Sequence, residues 1–109
     1  MSDINGYTDF LSQIKNAGEK LVLVNFMTSW CAPCHKIAPE IKQLAQENSN
    51  NLIVINVDAE QHQDIASEYN VTCFPTFTFI KDKEAVKQFH GADANQLSQC
   101  ISELLPDNL

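Results

Sequence analysis

Apolar residues along this chain switch between helical spacing and short unbroken runs. Thr8 to Ala17 sets Phe10, Leu11, Ile14 and Ala17 three or four positions apart. That predicts an amphipathic helix with Thr8 as its N-cap and Gly18 just past its end. Leu21-Val-Leu-Val-Asn-Phe-Met27 is almost continuously apolar and rich in β-formers, so it reads as a central strand covered on both faces. Pro33 suits the first turn of the next helix, where a missing N–H is no loss. Ile37, Ile41, Leu44 and Ala45 line one face of that helix to about Asn48. Pro39 should kink it rather than end it, because the periodicity continues beyond.

Asn51 to Val57 predicts a second buried strand. Asp58 to Tyr69 predicts a short helix with Ile65 and Ala66 inward, and Asp58 with Gln61 has capping-box spacing. Thr76–Lys81 and Glu84–Phe89 form a hairpin around Asp82-Lys83. Asp93 to Leu105 is the last helix, buried through Leu97, Ile101 and Leu104, with Asp93 and Gln96 again at capping spacing. A first strand near Asp3 to Asn5 has little support. The order helix, strand, helix, strand, helix, hairpin, helix predicts an α/β domain with helices on both faces of a sheet.

Length and charge narrow the field. The 109 residues fit one domain, so 1–109 is read as a single unit. At 44% apolar the chain has material for a core that needs no metal or disulfide to hold it. A net charge of −7 from 14 acids and 7 bases argues against a nucleic-acid partner, which calls for clustered Lys and Arg. Leu21 to Met27, the most apolar stretch, is far too short to span a bilayer. The opening MSDINGYTDF has an early acid and no basic region leading into an apolar run, unlike a signal peptide. The expectation is a cytoplasmic protein with no membrane contact, though unconventional export would leave no mark in these features.

Cys31-Ala32-Pro33-Cys34 falls between the strand ending near Met27 and the start of a helix, which gives the pair its chemical meaning. Orphan N–H groups and the positive end of the helix dipole stabilise a thiolate there. The thiolate is the form that attacks disulfides, and two intervening residues let one cysteine reach the other. The rival reading is half of a zinc site. It lacks a second clustered pair among Cys73, Cys100, His35, His62 and His90, whereas a structural zinc needs four ligands. Trp30 is either a core filler at a strand end or a ring that flanks the dithiol and meets the substrate. Phe74-Pro75 reads from pattern alone as an ordinary turn before a strand, because few X–Pro bonds are cis.

Trp30-Cys31-Ala32-Pro33-Cys34, Pro39, Val71-Thr72-Cys73-Phe74-Pro75-Thr76-Phe77 and Phe89-His90-Gly91-Ala92 together resemble the thioredoxin family, of the small animal-like type, over essentially the whole chain. The resemblance implies the thioredoxin fold: a central five-stranded mixed sheet flanked by four helices in three α/β/α layers. It also implies a protein-disulfide reductase in which Cys31 is the exposed nucleophile and Cys34 the buried resolving thiol. Pro75 would be cis and face the dithiol, and the Phe74 backbone would pair with an extended substrate segment. Trp30, Ala32, Pro33 and Gly91 would complete the docking face, Gly91 because a side chain there would crowd the partner. No cofactor would be bound. NADPH would enter indirectly, through a flavin-containing thioredoxin reductase, and clients would include disulfide-bearing proteins such as peroxiredoxins.

Several positions depart from that pattern. Ala32 stands where most relatives have glycine and should favour the helix start slightly. Asn25 replaces a buried aspartate thought to assist proton transfer at the resolving cysteine; it cannot titrate, although it can hold a hydrogen bond or a water. Either it slows deprotonation of Cys34 or it only fills a polar position. His35, where many relatives have lysine or arginine, either faces the dithiol or is solvated. Cys73 is an expected rim thiol, inert or able to link an otherwise monomeric protein into a dimer, and Cys100 an expected buried helix thiol. A redox-sensing binding module with weak turnover is the alternative function. An oxidase or isomerase, or a dimeric iron–sulfur form, fits less well.

Overall fold

The computed structural model describes residues 2–106. Its elements are β1 (Ser2–Asp3), α1 (Tyr7–Asn16), β2 (Leu21–Met27), α2 (Ala32–Glu47), β3 (Leu52–Asp58), α3 (Gln63–Glu68), β4 (Thr76–Lys81), β5 (Glu84–His90) and α4 (Ala94–Leu104). The strands lie in the order β1-β3-β2-β4-β5. β2 runs parallel to β3 and antiparallel to β4, and β5 runs antiparallel to β4. The sheet is therefore mixed, with four full strands and the two-residue β1 added beside β3.

Strand alternation divides the core in two. Val22, Val24 and Phe26 of β2 join Phe10 and Ile14 of α1 and Ile65 and Ala66 of α3 on one face. Leu21 and Leu23 join Ile37, Ile41 and Leu44 of α2 and Leu97, Cys100 and Ile101 of α4 on the other. Two helices on each face leave β2 buried along nearly its whole length, which is why its sequence is a run and not an alternation. β5, at the sheet edge, is exposed almost throughout and is correspondingly polar.

Local details correct several expectations. Thr8 does not cap α1: Gly6 is the N-cap, without a side-chain bond, and the Asp9 carboxylate instead accepts from the Asn5 N–H at 2.9 Å. Asp58 does not start α3 but ends β3, because pairing with β2 extends to Met27–Asp58. Its carboxylate accepts from the Glu60 N–H at 2.9 Å, and α3 begins five residues later than expected, at Gln63. Asp93 does cap α4, accepting from the Gln96 N–H at 3.0 Å. Pro39 lies inside α2, which runs on to Glu47. Asp82 and Lys83 both take positive φ, 52° and 69°, the left-handed pair that a two-residue hairpin turn requires, here without glycine. Among the described residues no helix is long and apolar enough to cross a membrane.

Candidate active site

β2 ends inside the domain, and the chain emerges through Thr28 and the exposed Ser29 and Trp30 to Cys31. Cys31 is the N-cap of α2, with extended backbone (φ −83°, ψ 105°). Its Sγ takes the place of a capping oxygen and accepts from the Cys34 N–H at 3.1 Å. The Cys31 C=O accepts from the His35 N–H at 3.3 Å, so the helix ladder starts at this residue. Pro33 sits in the first turn, where its ring costs no hydrogen bond. Cys31 and Cys34 form a disulfide with Cα atoms 5.3 Å apart, within the ordinary range.

Both cysteines are 5% exposed, which corrects the expectation of an exposed Cys31. What separates them is direction. Cys31 lines an open groove of about 450 Å³ with Trp30, Ala32, Pro33, Thr72, Cys73 and Phe74, and Cys34 does not. An incoming sulfur can therefore reach Cys31 by lying in the groove, while Cys34 stays behind it. All the lining residues are uncharged, so the groove offers apolar surface and backbone groups and no fixed charge.

The opposite wall comes from the segment before β4. The Phe74–Pro75 peptide is cis, and Pro75 is buried. The Pro75 C=O accepts from the Gly91 N–H at 2.9 Å, and the Thr76 hydroxyl donates to the Cys73 C=O at 2.7 Å. Neither the N–H nor the C=O of Phe74 has a hydrogen-bond partner among the described residues. Trp30 is no core filler: 69% of it is exposed, and its ring meets Phe74 edge-on with centroids 6.3 Å apart. Gly91 has φ 103°, and a Cβ added there would touch nothing within 4 Å. Backbone conformation explains this glycine, and crowding within the chain does not.

Asn25 lies on the α2/α4 side of the sheet by strand alternation and is 5% exposed. Its Nδ2 donates to the Asn56 Oδ1 at 3.2 Å, across a register pair of β2 and β3. The Asn25 Oδ1 is buried without a hydrogen-bond partner among the described residues. Sequence reasoning missed Asn56. The signal was present in the matching runs LVLVN and LIVIN, which place both asparagines level once the strands are paired in parallel. His35 makes no hydrogen bond to either sulfur among the described residues; its Nε2 lies 2.8 Å from the Ser29 carbonyl oxygen. Cys73 is a free, exposed thiol and Cys100 a free, buried one. No group of three or more His, Cys, Asp or Glu among the described residues is placed to hold a metal.

Comparison with known proteins gives this geometry its family. The family model described as thioredoxin matches residues 4–103. Human thioredoxin is 40% identical over 105 residues, covering 96% of this chain and 99% of its own. The X-ray structure of Fasciola hepatica thioredoxin has TM-score 0.90 at 35% identity, covering 94% of this chain and 98% of its own. A chain solved in work on thiol resolution in yeast mitochondrial 1-Cys peroxiredoxin via the glutathione and thioredoxin systems has TM-score 0.86 at 27% identity, covering 95% of each chain. A sulfur-capped helix bearing the Cys31–Cys34 disulfide, in a chain alike over nearly its full length, makes this protein a thiol–disulfide oxidoreductase and a member of the thioredoxin family.

Proposed function

We propose that the protein is a protein-disulfide reductase in which Cys31 attacks and Cys34 resolves. The observation that carries this is the Cys31 Sγ held at the helix start, at the edge of an uncharged groove that Cys34 does not line. In the reduced protein the Cys31 thiolate displaces one sulfur of a client disulfide, which leaves as a thiolate. The Cys34 thiolate then attacks Sγ of Cys31, closes the Cys31–Cys34 disulfide and releases the client as a dithiol. Two electrons pass to the client, and the free N–H and C=O of Phe74 are available to pair with its extended chain. Regeneration falls to an NADPH-dependent thioredoxin reductase. Peroxiredoxins belong among the clients, a reading supported by the likeness to the yeast chain.

The same reading takes 1–109 as one animal-type domain with a five-stranded sheet, counting β1. Its departures are Ala32 in the dithiol loop and Asn25 beneath it. A buried amide neither accepts nor gives up a proton near neutral pH, so Cys34 deprotonates less efficiently and resolution slows, while attack by Cys31 is unaffected. A cytoplasmic location is supported by the two free thiols, Cys73 and Cys100, which suit a reducing compartment. Cys73 at the groove rim would link two copies of an otherwise monomeric protein under oxidation.

The deciding experiment is reduction of insulin disulfides with dithiothreitol as donor, against a Cys31→Ser control. A clear excess over the control supports the reductase. A rate equal to it, with redox-dependent partner binding, supports the second reading, a redox-sensing module. The uncharged Asn25 is the observation that favours the second.

A further inference from the structure

The loop carrying Trp30 has few ties of its own. Ser29 and Trp30 are both exposed, and the Trp30 ring packs edge-on against one other ring, Phe74. With 69% of its surface in solvent, this tryptophan gains little from burial to fix its pose. Backbone bonds hold the loop near the helix: the Cys31 N–H donates to the Thr28 C=O at 3.3 Å. Of the two residues between them, Ser29 has its carbonyl held by a side chain. His35 Nε2 lies 2.8 Å from it. A carbonyl can only accept, so Nε2 carries the proton.

We infer that His35 is a positioning residue for client docking: through the Ser29 carbonyl it holds the Trp30 indole at the groove rim in the pose that a disulfide-bearing segment meets. The inference rests on the reductase reading above. Two other uses of His35 are weaker on this geometry. The hydrogen bond to Cys31 Sγ comes from the Cys34 N–H and not from His35, and a merely solvated histidine would not spend its donor on backbone six residues away. Ordering the loop before the client arrives removes a cost that binding would otherwise carry. Loss of the tether therefore raises KM and leaves the chemical step alone. His35 transfers no proton and touches no reacting atom.

Two uncharged variants separate the tether from charge. His35→Phe keeps the ring's bulk and loses the donor, whereas His35→Gln offers an amide N–H at similar reach. Trp30 is the sole tryptophan, so its time-resolved fluorescence anisotropy reports the loop directly. In His35→Phe the indole should gain nanosecond motion. KM for insulin should rise about threefold to tenfold, the size of one ordinary hydrogen bond, with kcat within about twofold. His35→Gln should recover most of both, and His35→Ala should behave as the phenylalanine variant does. Equal KM in the Phe and Gln variants would overturn the inference, as would unchanged Trp30 anisotropy throughout or a fall in kcat at constant KM. Should the unaltered protein reduce no insulin, the reductase reading fails by itself, and the anisotropy series still decides whether the tether exists.

Discussion

β2 and β3 feed their helices through connections of the same length and arrive at different chemistry. Met27 and Asp58, the last residues of the two strands, are register partners, as are Asn25 and Asn56. Four residues follow each strand before α2 starts at Ala32 and α3 at Gln63. The N-caps are therefore equivalent: Cys31 in one unit and His62 in the other. Cys31 has the extended backbone of a cap and a side chain that accepts from Cys34 N–H, whereas His62 lies at φ −127°, ψ 59° and makes no capping bond. α2 runs for 16 residues and α3 for six. One turn on, the first helix presents Cys34 and the second the buried Ile65. Strand delivery and loop length place a residue at a helix start; only the sulfur pair, with the Cys31 Sγ held by the Cys34 N–H, makes that start reactive.

The largest effect should come from separating the cap from the chemistry. Cys31→Ser keeps a side-chain oxygen that caps as well as sulfur does, so the helix start should survive with stability within about 1 kcal/mol of the reduced parent. Insulin reduction should nevertheless fall to the background of dithiothreitol alone. Cys34→Ser should leave the attack intact and block resolution, trapping clients as mixed disulfides that run as slow bands on non-reducing gels and vanish with reductant. Substantial turnover by Cys31→Ser would mean the helix-start position is not the reactive one, and the contrast between the two units would collapse.

Next in size are the level asparagines. Asn25→Asp buries a carboxylate among apolar neighbours and sets its oxygens against the Asn56 Oδ1, in place of the donor now there. Burial raises the pKa of such a group above its unfolded value. Its neutral form is then tolerated below the unfolded pKa, and stability is lost as pH rises through the folded one. We expect near-parental stability at about pH 4 and a loss of about 1–4 kcal/mol by pH 8 in urea titrations. Decay of the mixed disulfide should acquire a titration that the parent lacks, while attack on a small aromatic disulfide keeps the parental profile. Asn56→Asp should cost less at pH 8, because Asn56 is half-buried and lines a solvent-open cavity of about 210 Å³ with Asp58, Gln61 and His62. Equal pH dependence at both positions would show that the two strands bury their asparagines alike.

Much of this contrast was legible in the sequence, and the parts that were not share a cause. β2, β4 and the long α2 announce themselves because their patterns extend over enough residues for one period to dominate. The dithiol at a strand-to-helix boundary needed no coordinates. The start of α3 was misread because Asp58 with Gln61 has the spacing of a cap, while long-range pairing with β2 takes Asp58 into the sheet. Thr8 lost its capping role because α1 starts two residues earlier, with Gly6 as its N-cap. The pose of Trp30 against Phe74 and the groove that Cys31 lines depend on how the segment before β4 packs beside the loop. No local pattern encodes that. Asn56 could have been found by aligning the two strand sequences, but only once they were known to be parallel and level.

The smallest expected effect tests whether α3 is short because it lacks a cap. His62 occupies the N-cap with no side-chain bond, and the first-turn Ile65 N–H instead meets the carboxylate of Asp64 at 2.9 Å. Serine at 62 would supply a small oxygen able to reach that N–H, as sulfur does at Cys31. The backbone must swing from ψ 59° toward the extended value of a good cap, so the gain should sit at the low end, about 0.5 kcal/mol. His62→Ser should thus shift the urea midpoint upward slightly and slow hydrogen exchange at Gln63 to Ala66, with insulin reduction unchanged. A loss of stability would show that α3 is placed by the packing of Ile65 and Ala66 against β2 and β3. Its length would then be set by the core beneath it and not by its first residue, and the two connections would differ in what fixes them as well as in what they carry.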